Sequence, residues 1–448
     1  MTRETRVEDY RLLADAVEAE IRSGALPPGG RLLPQRRFAD SRGIAASTAA
    51  RVYQELVRRG LVSGEVGRGT YVRPAPSGPS PISEQSALID LEANFPVLPE
   101  QPALLADALR PLLAPERLAA TLGPVGVAGT AADRDTLAAF LAGPGWTPAP
   151  GAVLFTGGGR QAIAAAVAAL VPPGERLGVE ELTYPVVRSV AAHLGVTLVP
   201  VPMDGHGVVP ADLARVHAEA PLRAVYLQPS LHNPLGVTMP PDRRAAVARV
   251  LHDLDLVAVE DGVNRFLRDD VPLAAHAADR VVHVDSLSKR VAAGLNLGVV
   301  VAPPGLVDDL AFAVRSGTWA ATGFALAAAR AVITSGTAAR IIAAKRVDAV
   351  RRQRIVLDRL AGFDITGDPA AYHSWWRLPR SWHAETFVSA AARHGVSISP
   401  AAAFAVPPGR VPNAVRLSNS SPDPATLDHA LCVLARLAGS APEGGVTF

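Results

Sequence analysis

Residues 281–289 read VVHVDSLSK, and this stretch decides the fold because a short valine-rich run leads directly into two serines and a lysine. Lys289 is one of only two lysines among 44 basic residues, so the other 42 are arginines. Arginine cannot replace lysine in forming a Schiff base, because a guanidinium stays protonated whereas a desolvated ammonium can lose its proton. Lys289 is therefore either a reactive lysine or an ordinary surface lysine, and the surrounding motifs decide between the two.

The valine-rich run at 281–284 has counterparts along most of the chain. Similar runs at 152–155, 196–199, 224–227, 256–259 and 298–301 alternate with alanine-rich segments of helical character. This alternation is typical of an α/β domain with a mostly parallel sheet, in which sites form at the carboxyl ends of the strands. We therefore predict an α/β fold with its functional groups at those ends.

Three polar residues follow consecutive strands at equal intervals. Asn233 to Asp261 and Asp261 to Lys289 are each 28 residues apart, about the length of one strand-helix repeat. An amide, a carboxylate and a lysine are therefore expected at one rim of the sheet. Singly, Asn233 is as well explained as a turn former and Asp261 as a helix cap, but their joint order favours a site.

Two further motifs are expected at the same rim. The segment GGGRQ (157–161) follows a strand and opens a helix, so its backbone N–H groups and the helix dipole could hold a phosphate. It lacks the spacing of a P-loop and is weak evidence alone. Tyr184, in ELTYP (181–185), follows another strand and is either a site residue or a core aromatic.

Composition describes a globular protein of two or three domains, since the chain has 448 residues, of which 49% are hydrophobic and 19% charged. The single cysteine, Cys432, excludes an internal disulfide and a multi-cysteine metal site, so a reducing compartment and no metal are expected. The first residues lack the apolar core of a signal peptide, and the apolar stretches elsewhere are short. We expect a cytoplasmic protein.

Charge is unevenly distributed along the chain. Residues 26–73 contain nine arginines against three acidic residues, a net +6, so the remainder must sum to −4 to give the overall +2. A basic segment joined to a mildly acidic body points to a polyanion bound at one end.

The basic segment has the pattern of a winged helix-turn-helix. One amphipathic helix is predicted at 10–21, a second at about 35–41, and a third that begins at Ser47, as its cap, and runs to Arg59. Two short strands around a glycine-bearing tip within 60–72 complete the module.

The same segment resembles the GntR family. The patterns that carry the resemblance are IxxGxLxPGxxL (21–32), STxxRxYxxL (47–56), GLV (60–62) and GxGTYV (67–72). It implies double-stranded operator DNA as a partner, bound by six side chains of the second helix, the third helix and the wing: Arg36, Arg37, Ser47, Thr48, Arg51 and Arg68. The alternative is a protein-binding winged helix with a solvated basic surface.

The body resembles the fold type I aminotransferases, which bind pyridoxal 5′-phosphate (PLP). The resemblance begins at IDL (89–91), ends at NAVRL (413–417) and includes the strand-end motifs. It implies that Lys289 forms a Schiff base with PLP and that Asp261 pairs with the pyridine nitrogen, which keeps the ring able to accept electrons.

The same resemblance implies roles for further residues. Asn233 would donate to the phenolic oxygen of the ring, Tyr184 would stack on its face, and Arg416 would bind the carboxylate of a substrate or effector. The phosphate would be held by Gly158, Gly159, Ser286 and Ser288. Aminotransferase-like bodies build their sites at a dimer interface, so the resemblance also implies a homodimer.

Two positions depart from the aminotransferase pattern. Asn296 stands where that family has a phosphate-binding arginine, and Val263 and Asn264 stand where it has a tyrosine that bonds to the phenolic oxygen. These losses cost on the order of 1.5–3 and about 1 kcal/mol, so PLP affinity is expected to fall. Asn264 could partly replace the tyrosine, and the missing charge could come from Arg290, Arg160 or a partner subunit.

Residues 74–85 contain four prolines and show no apolar period, as expected of a linker. We therefore predict a DNA-binding domain at 1–73, a Pro/Ser-rich linker at 74–88 and a PLP-binding body at 89–448, with a small subdomain at about 335–440.

A GntR-type winged helix joined to a fold type I body resembles the MocR/PdxR regulators. The implied function is PLP-responsive regulation of transcription, in which PLP and an amino acid effector in the body alter binding to operator DNA, with little or no transaminase turnover. A working aminotransferase with an accessory DNA-binding module is the first alternative. A degenerate body that no longer binds PLP is the second.

Overall fold

The computed structural model describes residues 5–23, 25–27, 30–59, 61–65, 69–72, 88–409 and 411–440. Its N-terminal part comprises α1 (Thr5–Arg22), α2 (Gln35–Arg42), α3 (Ala46–Arg58), β1 (Val62–Glu65) and β2 (Gly69–Val72). β1 and β2 pair antiparallel. Three helices followed by a hairpin confirm the predicted winged helix-turn-helix. Of the residues assigned to the linker, only Leu88 lies within the described part.

A small apolar core holds the three helices together. Val17 of α1, Phe38 of α2, and Val52 and Leu56 of α3 are all buried in it. Phe38 also meets Tyr53 edge-on, with 5.3 Å between the ring centroids. Because these apolar side chains are buried against one another, their burial fixes the orientation of α3 against α1 and α2.

α3 begins at Ala46, and its N-cap lies two residues before the predicted cap, Ser47. Ala45 occupies the N-cap position without a side-chain cap bond, so Ser47 lies within the first turn and its predicted capping role is wrong. The helix also ends at Arg58, with Arg59 at the C-cap. Gly43 ends α2 at a φ of 64°, in the left-handed region that favours glycine, which leaves only two residues before α3.

The body alternates strands with helices over its first two thirds. In chain order these elements are β3 (Ile89–Asp90), α4 (Gln101–Leu109), α5 (Pro115–Ala119), α6 (Ala131–Leu141), β4 (Val153–Thr156), α7 (Gly159–Leu170), β5 (Arg176–Glu180), α8 (Pro185–Leu194), β6 (Thr197–Val201), β7 (Met203–Asp204), β8 (Gly207–Val208), α9 (Pro210–Glu219), β9 (Ala224–Leu227), α10 (Pro241–Asp253), β10 (Val257–Asp261), β11 (Val281–Ser286), α11 (Leu287–Arg290), β12 (Gly298–Val301), α12 (Val307–Ser316) and α13 (Gly323–Thr334).

The remaining elements are α14 (Thr337–Arg359), β13 (Asp364–Thr366), β14 (His373–Arg377), α15 (Ala384–Arg393), β15 (Val396–Ser397), β16 (Ser399–Pro400), β17 (Ala414–Ser418) and α16 (Pro424–Gly439). Short 3-10 helices cover Arg110–Leu113, Pro150–Ala152, Arg265–Leu267, Leu273–Ala275, Pro304–Leu306 and Ala401–Ala403.

The main sheet has seven strands in the order β4-β12-β11-β10-β9-β5-β6. The pairs among β11, β10, β9, β5 and β6 are parallel, and only β12 runs antiparallel to its two neighbours. The predicted mostly parallel α/β fold is therefore confirmed. Alanines of α7, among them Ala162, Ala165 and Ala166, are fully buried against the sheet. Their small side chains let α7 approach the strands closely.

A second sheet lies in the C-terminal part, in the order β13-β14-β17-β16, with all its pairs antiparallel. Trp376 of β14 is fully buried there and meets Phe387 of α15 edge-on at 5.3 Å between centroids. β3 joins this part by pairing in parallel with β15, so the start of the body is tied to its end.

Across the described residues, no individual helix combines the length and apolar character needed to span a membrane. α13 and α14 meet that test only as a pair, and a 73° bend separates them.

Candidate functional site

A cavity of about 530 Å³ opens beside the carboxyl ends of β9, β10 and β11, which are neighbours in the sheet. Every residue that the sequence assigned to the cofactor contributes to its wall: Gly158, Gly159, Tyr184, Asn233, Asp261, Ser286, Ser288 and Lys289. Asn233, Asp261 and Lys289, which are equally spaced in the sequence, thus lie at the same rim of the sheet.

Lys289 lies in α11, the single helical turn that follows β11. Its Nζ donates a hydrogen bond to Oδ1 of Asn264 at 3.0 Å. Loss of water lowers the pKa of Lys289 to about 8, and the opposing charge of Asp261 limits that fall. A larger fraction of the amine is therefore neutral near pH 7 than at a surface lysine, as attack on a carbonyl requires.

Asp261 ends β10 and is buried. Its Oδ2 accepts a hydrogen bond from the hydroxyl of Tyr226 at 2.6 Å, and its Oδ1 accepts one from the backbone N–H of Val263 at 3.1 Å. Burial raises the pKa of Asp261, while these bonds and the charge of Lys289 lower it. A buried carboxylate of this kind favours a cationic partner in the cavity.

A cradle that could hold an anion is formed where the start of α7 meets the end of β11 and the loop after α11. A Cβ added to Gly158 would lie 2.3 Å from Oδ1 of Asn296, and one added to Gly159 would lie 3.0 Å from Cβ of Ser286. The hydroxyl of Ser288 donates to Oδ1 of Asn296 at 2.8 Å. Because any side chain at Gly158 would displace this wall, glycine keeps the helix N–H groups open to a ligand.

Tyr184 precedes α8 and lines the cavity. Burial raises the pKa of Tyr184, and the nearby positive charge of Arg160 opposes that rise. Arg160 is therefore directed toward the same cavity.

Arg416 is placed differently from the other predicted residues, because it lies behind the cavity wall. Its Nη1 donates to Oδ1 of Asn233 at 3.2 Å, and its Nη2 donates to Ser399 Oγ at 3.1 Å and to the carbonyl of Glu92. Burial lowers the pKa of Arg416 to about 10. Arg416 does not line the cavity, but its Nη1 bond connects it to Asn233, which does.

The two departures from the aminotransferase pattern both lie on the cavity wall, at Asn296 and at Val263 with Asn264. Asn264 is held by a bond from its Nδ2 to the carbonyl of Leu231 at 3.1 Å. Arg290, one candidate for the missing charge, is buried and binds Asp285 with two nitrogens, Nε donating to Oδ1 at 2.9 Å. The guanidinium of Arg290 is thus already committed.

Lys345 of α14 contributes to the site from behind, and sequence reasoning missed it. It is fully buried, and its Nζ donates to the carbonyls of Lys289 at 2.8 Å and Val291 at 2.7 Å. Burial lowers the pKa of Lys345 to about 7. The available signal was the scarcity of lysine in the sequence. In the structure the side chain of Lys345 contacts the turn that carries Lys289, the other lysine.

Tyr226 was also missed, although it stands within the strand run 224–227. The available signal was a hydroxyl in an otherwise apolar strand, since a buried tyrosine usually requires a hydrogen-bond partner.

The predicted DNA-binding side chains lie on α2 and the first turns of α3. Arg36, Arg37, Ser47 and Arg51 are exposed and Thr48 is half-buried. The guanidinium carbon of Arg51 lies 4.4 Å from the ring centroid of Tyr10. Arg68 lies outside the described residues.

Gln54 was not predicted for DNA binding, but it is exposed on the same face of α3. The sequence could have indicated Gln54, because it follows Ser47 by seven residues and Arg51 by three, and such intervals place side chains on the same face of a helix.

Comparison with known proteins agrees with both parts of the chain. Residues 89–434 match the family Aminotransferase class I and II, and residues 9–72 match Bacterial regulatory proteins, gntR family. The uncharacterized HTH-type transcriptional regulator YdeF of Bacillus subtilis (strain 168) is 29% identical, over 96% of this chain and 94% of its own. The HTH-type pyridoxine biosynthesis transcriptional regulator PdxR of Corynebacterium glutamicum is 26% identical, over 65% of each chain.

Among solved structures, that of an archaeal alanine:glyoxylate aminotransferase has a TM-score of 0.73 at 24% identity and covers 80% of this chain and 92% of that one, which shows a shared fold. The chain thus belongs to the aminotransferase class I and II family and carries an N-terminal domain of the gntR family of bacterial regulatory proteins.

Proposed function

We propose that this protein is a transcriptional regulator whose body binds PLP and an amino compound and whose winged helix binds operator DNA as a homodimer. The observation that carries the proposal is the single rim that joins Asp261, Lys289 and the glycine-serine cradle in a chain with a DNA-binding domain. When bound, PLP supplies an aldehyde that reacts with amines and a ring that accepts electrons.

The residues of the cavity fit that cofactor. Lys289, with a pKa of about 8, offers an amine for covalent attachment. Asp261 can stabilise a proton on the pyridine nitrogen, because its buried carboxylate favours a cation. The N–H groups at Gly158 and Gly159, together with the serine hydroxyls, can hold a phosphate.

The position of Arg416 provides a physical basis for a response to an effector. Its guanidinium is bonded to Asn233 and to the carbonyl of Glu92, while its buried Nε has no hydrogen-bond partner among the described residues and could donate to a carboxylate. A carboxylate bound to Arg416 would change the charge at the contact between β17, which carries Arg416, and the start of the body near Glu92. Such a change is the differential interaction that a ligand-driven switch needs.

The proposal is tested with the full chain and its promoter DNA. Purified protein supplied with PLP should show an absorption band near the visible edge, which borohydride abolishes and Lys289→Ala prevents. Operator affinity should then change when PLP, or PLP with an amino acid, is added. No uptake of PLP at millimolar excess, or a band retained by Lys289→Ala, would show that the cofactor assignment is wrong.

A working aminotransferase is the second candidate, and the observation that favours it is the lowered pKa of Lys289 beside Asp261. An amine with such a pKa can both bind a carbonyl compound and carry protons near neutral pH. Turnover of about 1 per second or more, the low end for ordinary enzymes, with DNA binding indifferent to every ligand, would favour the enzyme. We expect slower turnover and a ligand-dependent change in DNA binding.

A further inference from the structure

The cavity wall carries one more positive than negative charge, and the unpaired positive charge lies at the end where a phosphate would bind. All residues that line the cavity belong to the described part of the chain, and only three of them carry a formal charge: Arg160, Asp261 and Lys289. Asp261 and Lys289 face each other electrostatically, since each shifts the pKa of the other. Arg160 is therefore the cation that remains for a phosphate.

Neighbouring arginines do not supply the charge instead. Arg290 is buried and doubly bonded to Asp285, and its guanidinium carbon also lies 5.6 Å from the ring centroid of Phe140. Arg416 lies behind Asn233 and does not line the cavity. Asn296 stands on the wall beside the cradle but offers only a neutral amide.

Arg160 occupies a position that favours a bound anion. It follows Gly159, the first residue of the twelve-residue helix α7, so its positive charge lies at the positive end of the helix dipole. Its side chain is exposed and lines the cavity together with Tyr184, and its charge lowers the pKa of Lys289. An anion bound at this end would relieve the repulsion from the helix and from Lys289.

We propose that Arg160 is the cationic partner of the ligand's phosphate, and that it makes this cavity select phosphorylated over unphosphorylated pyridoxal. The inference rests on the proposed function and adds a residue that determines specificity. The backbone N–H groups and serines then position the phosphate, and Arg160 supplies the charge that they lack.

Titration of the full-length protein with PLP and with unphosphorylated pyridoxal, followed by absorbance, tests the proposal. Arg160→Gln should weaken PLP binding by about 10- to 100-fold, as expected for a lost charge-assisted bond, and should leave pyridoxal binding within about twofold. Arg249→Gln, a change at an exposed arginine of α10 away from the cavity, is the matched control and should alter neither.

Two further variants distinguish the loss of the Arg160 charge from a distortion of the cavity caused by the substitution. Arg160→Lys should retain most of the affinity for PLP, and Asn296→Arg should restore it in the Arg160→Gln protein, because the new charge arises on the same wall. Wild-type affinity for PLP in Arg160→Gln, or an equal loss of PLP and pyridoxal, would overturn the role of Arg160 alone. A wild-type protein that takes up no PLP would overturn the proposed function as well.

Discussion

Lys345 shows how a single buried side chain can shape the reactive turn. Its two hydrogen-bond acceptors are the carbonyls of Lys289 and Val291, so it holds the backbone on both sides of Arg290. Carbonyls carry only partial charge and do not fully compensate a buried ammonium, which is why the pKa of Lys345 falls to about 7.

The stability of the protein should therefore depend on pH through Lys345. Between pH 7 and the ordinary lysine pKa of 10.5, the unfolded chain binds a proton that the native chain does not, so stability rises with pH. Replacing Lys345 with Met removes this dependence. The difference in unfolding free energy, Lys345→Met minus wild type, should fall by on the order of 4 kcal/mol between pH 7 and pH 10.

Urea unfolding at several pH values measures that difference. Lys345→Arg serves as a control that keeps the charge, and because a guanidinium cannot deprotonate, this variant should also lose the dependence. If the difference in unfolding free energy between Lys345→Met and wild type stayed constant with pH, the conclusion that the Lys345 ammonium is buried without a compensating charge would be wrong.

The sequence marks Lys345 as one of two lysines, but local sequence could not show which group its side chain meets. Lys289 could be recognised because a strand and two serines precede it in a chain that has only two lysines. Lys345 lies within the long helix α14, where the neighbouring sequence does not show which element its side chain faces. The same holds for Tyr226, whose bond to Asp261 spans 35 residues of sequence.

At the scale of elements, sequence reasoning succeeded where geometry is periodic. The interval of 28 residues predicted that successive strands would deliver Asn233, Asp261 and Lys289 to one rim, because parallel strands end at the same edge of a sheet. It was less reliable for α3, where Ser47 had the right chemistry for a cap but Ala45 takes that position. The turn before α3 has Gly43 in the left-handed region and Ala45 in an extended conformation, and the helix starts directly after it at Ala46.

α3 also carries a prediction about DNA recognition. Arg51 lies on its exposed face, and the ring of Tyr10 supports its guanidinium through a cation–π contact of about 0.5–1 kcal/mol. Arg51→Ala should weaken binding to the specific operator by roughly 1–3 kcal/mol and weaken random DNA less, if the side chain reads a base. Equal losses on both DNAs, measured by titration at fixed salt, would restrict Arg51 to a phosphate contact.

At the scale of the whole molecule, the chain combines a basic N-terminal segment of net +6 with a body that the remaining charge makes mildly acidic. Composition alone predicted that division, and the structure gives each part its own apolar core. What composition could not predict is where Arg416 lies, since its distance from the cavity depends on packing between β17 and the start of the body.

Affinity for promoter DNA should fall steeply with salt. Several phosphate contacts are expected from the basic segment, and each contact removed should lower the slope of log affinity against log salt by about one. A shortened protein beginning at Ile89 should lose this binding. If that shortened protein bound the promoter as well as the full chain, DNA recognition would not reside in the winged helix.

The burial of Lys345 also has a practical consequence for chemical labelling. Aldehydes and amine-directed reagents usually modify many surface lysines, but this chain has no third lysine, and Lys345 is closed off from solvent. Apart from the amino terminus, Lys289 is the amine that a reagent small enough to enter the cavity can reach. Mass spectrometry of the borohydride-treated protein should therefore count occupied cavities directly, with almost no background from the rest of the surface.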